Sequence, residues 1–232
     1  MAAFLHNATV VLVHGAWADA SCWNHVIVPL QRHGLKVICA PIPLTSLTDD
    51  VAALSGALER TSGPVLLAGH AYGGAVIGAV REEEVKGLVF IAALAPDEGE
   101  TVAQMFFREP PHPKAPKLSP DPHGFMWMPD DGFARAVAHN ASADQTSIMA
   151  AIQRPISTRC IEEVAPRPAW RGKPSWFLLA EEDRMINPKT LGFMANRMGA
   201  TVRSEEVDHS PMITAPDRVV DLILDAAGKT LS

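Results

Sequence analysis

Val65-Leu66-Leu67-Ala68-Gly69-His70-Ala71-Tyr72-Gly73-Gly74-Ala75 is the stretch whose reading decides the fold. Its first four residues predict a buried strand, Gly69 a sharp turn, and the small residues beyond Tyr72 the start of a helix. The spacing is that of Gly-x-Ser-x-Gly, in which a serine sits on a strained strand-to-helix turn with its hydroxyl above the sheet. Ala71 holds the serine's place, so the segment reads as a nucleophile elbow without its nucleophile. A methyl group has no lone pair with which to attack a carbonyl. Phosphate-binding readings fail on spacing: no Lys-Ser/Thr follows the glycines, and Gly69 to Gly74 lacks Gly-x-Gly-x-x-Gly.

Outward from the elbow, short apolar runs alternate with amphipathic stretches, which predicts a mostly parallel sheet covered by helices, an α/β fold. Six strands are expected: Thr9 to Val13, Leu35 to Ala40, Pro64 to Ala68, Lys86 to Ala92, Ser175 to Ala180 and Thr201 to Val207. Trp23, Val26, Ile27 and Leu30 recur at helical spacing before Gly34, and Val51, Leu54 and Leu58 do so between Ser46 or Thr48 and Gly63. Two more helices are expected from Asn187 to Met198 and from Pro216 to Leu231.

The rhythm breaks over residues 96–170, read as a lid inserted into a core of residues 1–95 and 171–232. Prolines from Pro110 to Pro122 favour an extended course, and a helix-like part runs from Asp131 to Gln153. Between them Phe125-Met126-Trp127-Met128 is too apolar for a disordered linker.

The 232 residues are 47% hydrophobic and 20% charged with a net charge of −6, enough for one large core. No basic stripe is available for nucleic acid or an anionic membrane, which leaves a small molecule as the expected partner. Cys22, Cys39 and Cys160 are an odd count without metal-like spacing and read as free thiols. Met1 to Asn7 has no secretory pattern, and the apolar run from Pro64 to Val80 is short and interrupted for a membrane span. The expectation is a cytoplasmic protein. Nothing in the sequence bears on its oligomeric state.

Three further segments carry candidate chemistry. His14-Gly15-Ala16-Trp17 follows the first strand, a turn whose simplest reading needs only Gly15. Glu181-Glu182-Asp183 follows the fifth, and an acid at the C-terminal end of a parallel strand is well placed to orient a base. Asp183 is the candidate, with Asp97 as the alternative acid. Asp208-His209-Ser210-Pro211-Met212 follows the last strand and puts His209 on a loop able to reach both partners. His25, His33, His112, His123 and His139 lack such company, although His123 adjoins the aromatic lid segment.

With these pieces in the order position 71, Asp183, His209, the chain resembles the α/β-hydrolase superfamily over nearly its full length. It is most similar to the small carboxylesterases and methylesterases grouped with plant hydroxynitrile lyases. The resemblance rests on Val13 to Ala16, Gly69 to Gly74, Ala180 to Pro188 and Asp208 to Met212. It implies an α/β-hydrolase fold with a small lid, no cofactor and no metal. It also implies an oxyanion hole from the Ala16 and Tyr72 amides, and a Ser-His-Asp triad of position 71, His209 and Asp183. The lyases carry a threonine and a lysine where this chain has Gly15 and Ser210, so ester hydrolysis is the stronger implication. An ester, lactone or carbamate is the expected substrate class, in a pocket shaped by Trp17, Tyr72, Phe125, Met126, Trp127 and Met128. Because everything around the missing hydroxyl is intact, Ala71 is read as an inactivating replacement of serine. The competing readings are a non-catalytic receptor and a cofactor-free enzyme using the His209–Asp183 dyad alone.

Overall fold

The computed structural model describes residues 8–231. In chain order the elements are β1 (Thr9–Val13), α1 (Asn24–Arg32), β2 (Lys36–Cys39), α2 (Leu47–Leu58), β3 (Val65–His70), α3 (Gly73–Gly78) and β4 (Val85–Ile91). Between β4 and the next strand of the sheet lie α4 (Val102–Phe106), β5 (Phe125–Met126), α5 (Asp130–Gly132), α6 (Ala143–Ile152), β6 (Ile156–Ser157) and α7 (Thr158–Glu162). The chain closes with β7 (Ser175–Ala180), α8 (Pro188–Arg197), β8 (Thr201–Glu205), α9 (Pro211–Thr214) and α10 (Pro216–Thr230).

Six strands form one parallel sheet in the order β2-β1-β3-β4-β7-β8, flanked by helices, as the alternating pattern predicts. Its central strands β1 and β3 are buried at every residue, which is why their sequences are continuous apolar runs rather than alternating ones. The edge strands β2 and β8 are partly exposed and correspondingly more polar. Strand order reverses between β1 and β3, and a crevice opens there at the carboxyl ends of parallel strands.

Local chemistry sets the helix ends. Ser46, rather than Thr48, caps α2 by accepting the Asp49 N–H, and Asn187 caps α8 ahead of Pro188 at its first turn. Gly34 and Gly63 close the segments after α1 and α2 with φ of +85° and +83°.

Two expectations need correction. Strand β3 runs two residues past Ala68, because Gly69 and His70 still pair in register with Phe90 and Ile91 of β4. Nor is the stretch from Asp131 to Gln153 continuous: α5 leads into a π-helical turn at Phe133–Val137, and the chain breaks before α6. Ser142 starts α6 with a capping box to Gln145, and Asn140 donates its N–H to Asp208, so both groups are satisfied outside a helix. The three cysteines are free. No helix among the described residues is long and apolar enough to cross a membrane.

Candidate active site

The turn after β3 is built by close approach. A Cβ on Gly69 would lie 2.5 Å from the Gly73 carbonyl oxygen, one on Gly73 2.6 Å from that of Val13, and one on Gly74 2.6 Å from that of Leu94. None of the three positions can hold a side chain without moving backbone. Ala71 at their centre has φ of +48°, the left-handed region that non-glycine residues seldom enter. Three backbone bonds hold it there: its N–H donates to the Ile91 carbonyl at 3.2 Å, and its own carbonyl accepts from Leu94 at 2.9 Å and from Gly74 at 3.1 Å. Trp17 and Ala92, after β1 and β4, share this unusual region with φ of +57° and +44°. Strain is thus concentrated where three neighbouring strands end.

His209 lies on the loop after β8. Its Nδ1 is 2.7 Å from Asp183 Oδ2, and both side chains are almost wholly buried. The other oxygen of Asp183 accepts the N–H groups of Met185 and Ile186 at 2.7 and 2.8 Å, so the carboxylate is fully engaged. Nδ1 donates to that carboxylate and leaves Nε2 with a free lone pair, the tautomer a general base requires. Asp97 is elsewhere: Arg171 grips both its oxygens at 2.8 and 2.7 Å, and this pair holds its carboxyl below the usual range. Of the two candidate acids only Asp183 contacts His209.

His70 and Asp208 complete the surroundings of His209, though the sequence alone does not single them out. His70 Nε2 donates to the His209 carbonyl at 2.7 Å, and the two rings stand 4.8 Å apart. Burial pushes the His70 imidazole well below its ordinary pKa, so it is a neutral strut. Asp208 accepts from Asn140, Ser210 and Thr214 and thereby fixes both flanks of His209. Each is adjacent in sequence to a candidate residue, which was the available signal. His14 is likewise buried, donating to the Gly15 carbonyl at 2.9 Å, and burial lowers its pKa.

Ala71 and His209 open onto one cavity of about 650 Å³ including its mouth. Its floor also carries Ala16, Trp17 and Tyr72, and its walls are apolar, with Leu94, Val102, Ile156 and Ile186 among them. Among the described residues neither the Ala16 nor the Tyr72 main-chain N–H has an acceptor within the protein. The lining carries no Asp, Glu, Lys or Arg side chain, and His209 is its one imidazole.

Residues between β4 and β7 line much of the rest of the cavity, though not mainly the ones singled out for it. Met126 lines the cavity, and its carbonyl accepts the Trp17 indole N–H at 3.0 Å. Phe125 instead pairs with Ser157 in the two-stranded β5–β6 ribbon, Trp127 is 51% exposed, and Met128 packs in a small separate cluster with Phe133 and Met185. The roof aromatics are Phe106 and Phe107, which meet edge to face with centroids 5.0 Å apart. Period-two alternation explains the error: consecutive residues of an extended segment point to opposite sides. Exposed His123 plays no part in the cavity. Among the described residues no cluster of His, Cys, Asp or Glu is arranged to hold a metal ion.

Known proteins share this architecture. Residues 10–222 match the alpha/beta hydrolase family. The alpha/beta hydrolase nvfD of Aspergillus novofumigatus is 24% identical over 250 aligned residues, covering 96% of this chain and 97% of that one. Methylesterase 1 of Arabidopsis thaliana is 24% identical, covering 94% and 95%. The crystal structure of polyneuridine aldehyde esterase superposes with a TM-score of 0.78 at 18% identity over 96% of this chain and all of that one. With its parallel sheet, its glycine-flanked turn after β3 and a match spanning most of its length, this chain belongs to the alpha/beta hydrolase family.

Proposed function

We propose that the cavity is the site of a carboxylic-ester hydrolase, and that the chain with Ala71 is the form of it that binds substrate without forming an acyl-enzyme. The observation that carries this reading is the buried His209–Asp183 pair at 2.7 Å beside the elbow methyl. With serine at position 71, His209 Nε2 would take the hydroxyl proton as the oxygen attacks the ester carbonyl. The Ala16 and Tyr72 amides would hold the oxyanion, and the protonated imidazole would then protonate the leaving alcohol. Water activated by the same imidazole would release the acid. The apolar walls and the absence of a cation among the lining residues favour a neutral ester, lactone or carbamate with an apolar acyl or alcohol part. Two relatives that bear esterase names support the reaction class.

The test is hydrolysis of a p-nitrophenyl acyl ester series by the chain and by its Ala71→Ser variant. The serine variant is expected to gain turnover by several orders of magnitude, up to about 10⁶, and His209→Ala in that variant to abolish the gain. Silence from Ala71→Ser on every ester, with a ligand still held by the alanine chain, would replace the hydrolase reading by that of a binding protein. Ala71 itself is the observation favouring that second reading.

A further inference from the structure

Beneath the floor of the cavity, besides Asp183 and Asp208, lies a third buried carboxylate that the reaction does not use. Asp50, in the first turn of α2, has no exposed surface and, among the described residues, no cationic partner. Three donors from three separate segments converge on it. Its Oδ2 accepts the Tyr72 hydroxyl at 2.6 Å and the Cys160 thiol at 3.5 Å, and its Oδ1 accepts the Leu44 N–H at 2.6 Å. Burial raises the Asp50 carboxyl and pushes the Tyr72 phenol far above its ordinary range, so Tyr72 stays a donor.

Those donors are not scattered. Tyr72 follows Ala71 and lines the cavity, and its amide has no acceptor within the protein. Leu44 stands at φ of +62°, and its carbonyl accepts the Ser157 N–H at 3.0 Å, next to the wall residue Ile156. Cys160 lies on α7 beside another wall residue, Ile161. Arg154 adds bonds to the Ile42 and Pro43 carbonyls of the same loop at 3.1 and 3.3 Å. One carboxylate therefore ties the elbow to the wall formed by the insertion. A buried carboxylate without a cation costs several kcal/mol that apolar packing would avoid. Conformational exactness at Tyr72 is what it supplies in return.

We propose that Asp50 is a positioning residue that, through the Tyr72 hydroxyl and the Leu44 amide, fixes the Tyr72 main-chain N–H as an oxyanion donor relative to the Ile156–Ile161 wall. The role rests on the hydrolase reading above and acts on the transition state more than on substrate binding.

Tyr72 is the chain's one tyrosine, which makes it a built-in probe. In protein labelled with ¹³Cζ-tyrosine it gives a single NMR resonance, and Asp50→Asn is expected to shift it. In the Ala71→Ser background, Asp50→Asn should lower kcat by roughly 10–100-fold, the cost of a small misplacement of a reacting group, with KM changed less than about twofold. Tyr72→Phe should lower kcat in the same way, and the two changes together should be less than additive. Should Asp50→Asn fail to fold, Tyr72→Phe alone decides: an unchanged kcat overturns the proposal. A shift of KM with kcat untouched overturns it too. If Ala71→Ser hydrolyses no ester while Asp50→Asn still moves the resonance, the ester reading has failed separately, the bond is structural only, and the positioning role falls with it.

Discussion

The floor and the roof of the cavity are built on opposite terms. The floor is made of backbone approaching backbone: Gly69, Gly73 and Gly74 stand within van der Waals limits of carbonyl oxygens, and Ala71 and Trp17 occupy strained conformations. Few residue types are compatible with such contacts, so each position is close to obligatory. The roof is made of short elements between β4 and β7 whose apolar side chains meet the site by way of a long, irregular path. Many apolar residues would serve at any one of its positions. Geometry that only one residue type satisfies leaves a mark in the sequence, and geometry that many satisfy does not.

The sharpest way to break this contrast is to put a methyl into the floor. Gly69→Ala, with its Cβ 2.5 Å from the Gly73 oxygen, should cost about 3 kcal/mol or more in urea unfolding. Gly56→Ala on α2, where a Cβ would meet nothing within 4 Å, should instead stabilise by about 0.5–1 kcal/mol. Equal losses at both would mean that the elbow is no tighter than an ordinary helix surface.

A second probe uses the floor's buried histidines. Burial lowers the pKa of both His70 and His14, so the unfolded chain takes up protons that the folded chain refuses. Their contribution to stability is complete above the unfolded value of about 6.5 and is lost as pH falls below it, by up to about 1.4 kcal/mol per pH unit for each histidine. Urea midpoints between about pH 7.5 and 5.5 should show this decline, and His70→Asn should flatten it. A slope that His70→Asn leaves unchanged would assign the decline to other groups.

The roof should answer weakly and selectively. Phe106→Ala should raise KM for apolar esters of the Ala71→Ser variant by roughly tenfold, the scale of a partly lost aromatic contact. Exposed Trp127→Ala should move both KM and stability little, within about 0.5 kcal/mol. If Trp127→Ala raised KM more than Phe106→Ala, the residues lining the roof would have to be reassigned.

The same distinction explains what could be read in advance. All six strands of the sheet and their helices were legible, because burial on both faces writes continuous apolar runs and capping residues mark the ends. That position 71, Asp183 and His209 come together was legible because each follows a strand at its C-terminal end, in an order few folds share. Phe106 and Phe107 were not: α4 has five residues, too few for a helical stripe, and nothing local says that it leans over the site. Trp127 was mistaken for lining because hydrophobicity shows that a side chain seeks cover, not which side of its segment the cover lies on. Asp50, too, was invisible, since in sequence it is one more acid in the first turn of a helix.

The φ of +48° at position 71 bears on how this site can change over generations. A β-branched side chain is disfavoured at such an angle, and glycine would surrender the constraint that holds the turn, whereas alanine and serine are both small and unbranched enough to occupy it. In the genetic code the GCN codons of alanine and the TCN codons of serine differ by a single base. On the proposed hydrolase reading, one transversion would separate a chain that holds an ester from one equipped to cleave it, with no refolding between them. An elbow kept in shape by its glycines and its backbone bonds, rather than by the residue at its tip, can lose the hydroxyl and regain it while the scaffold stays constant.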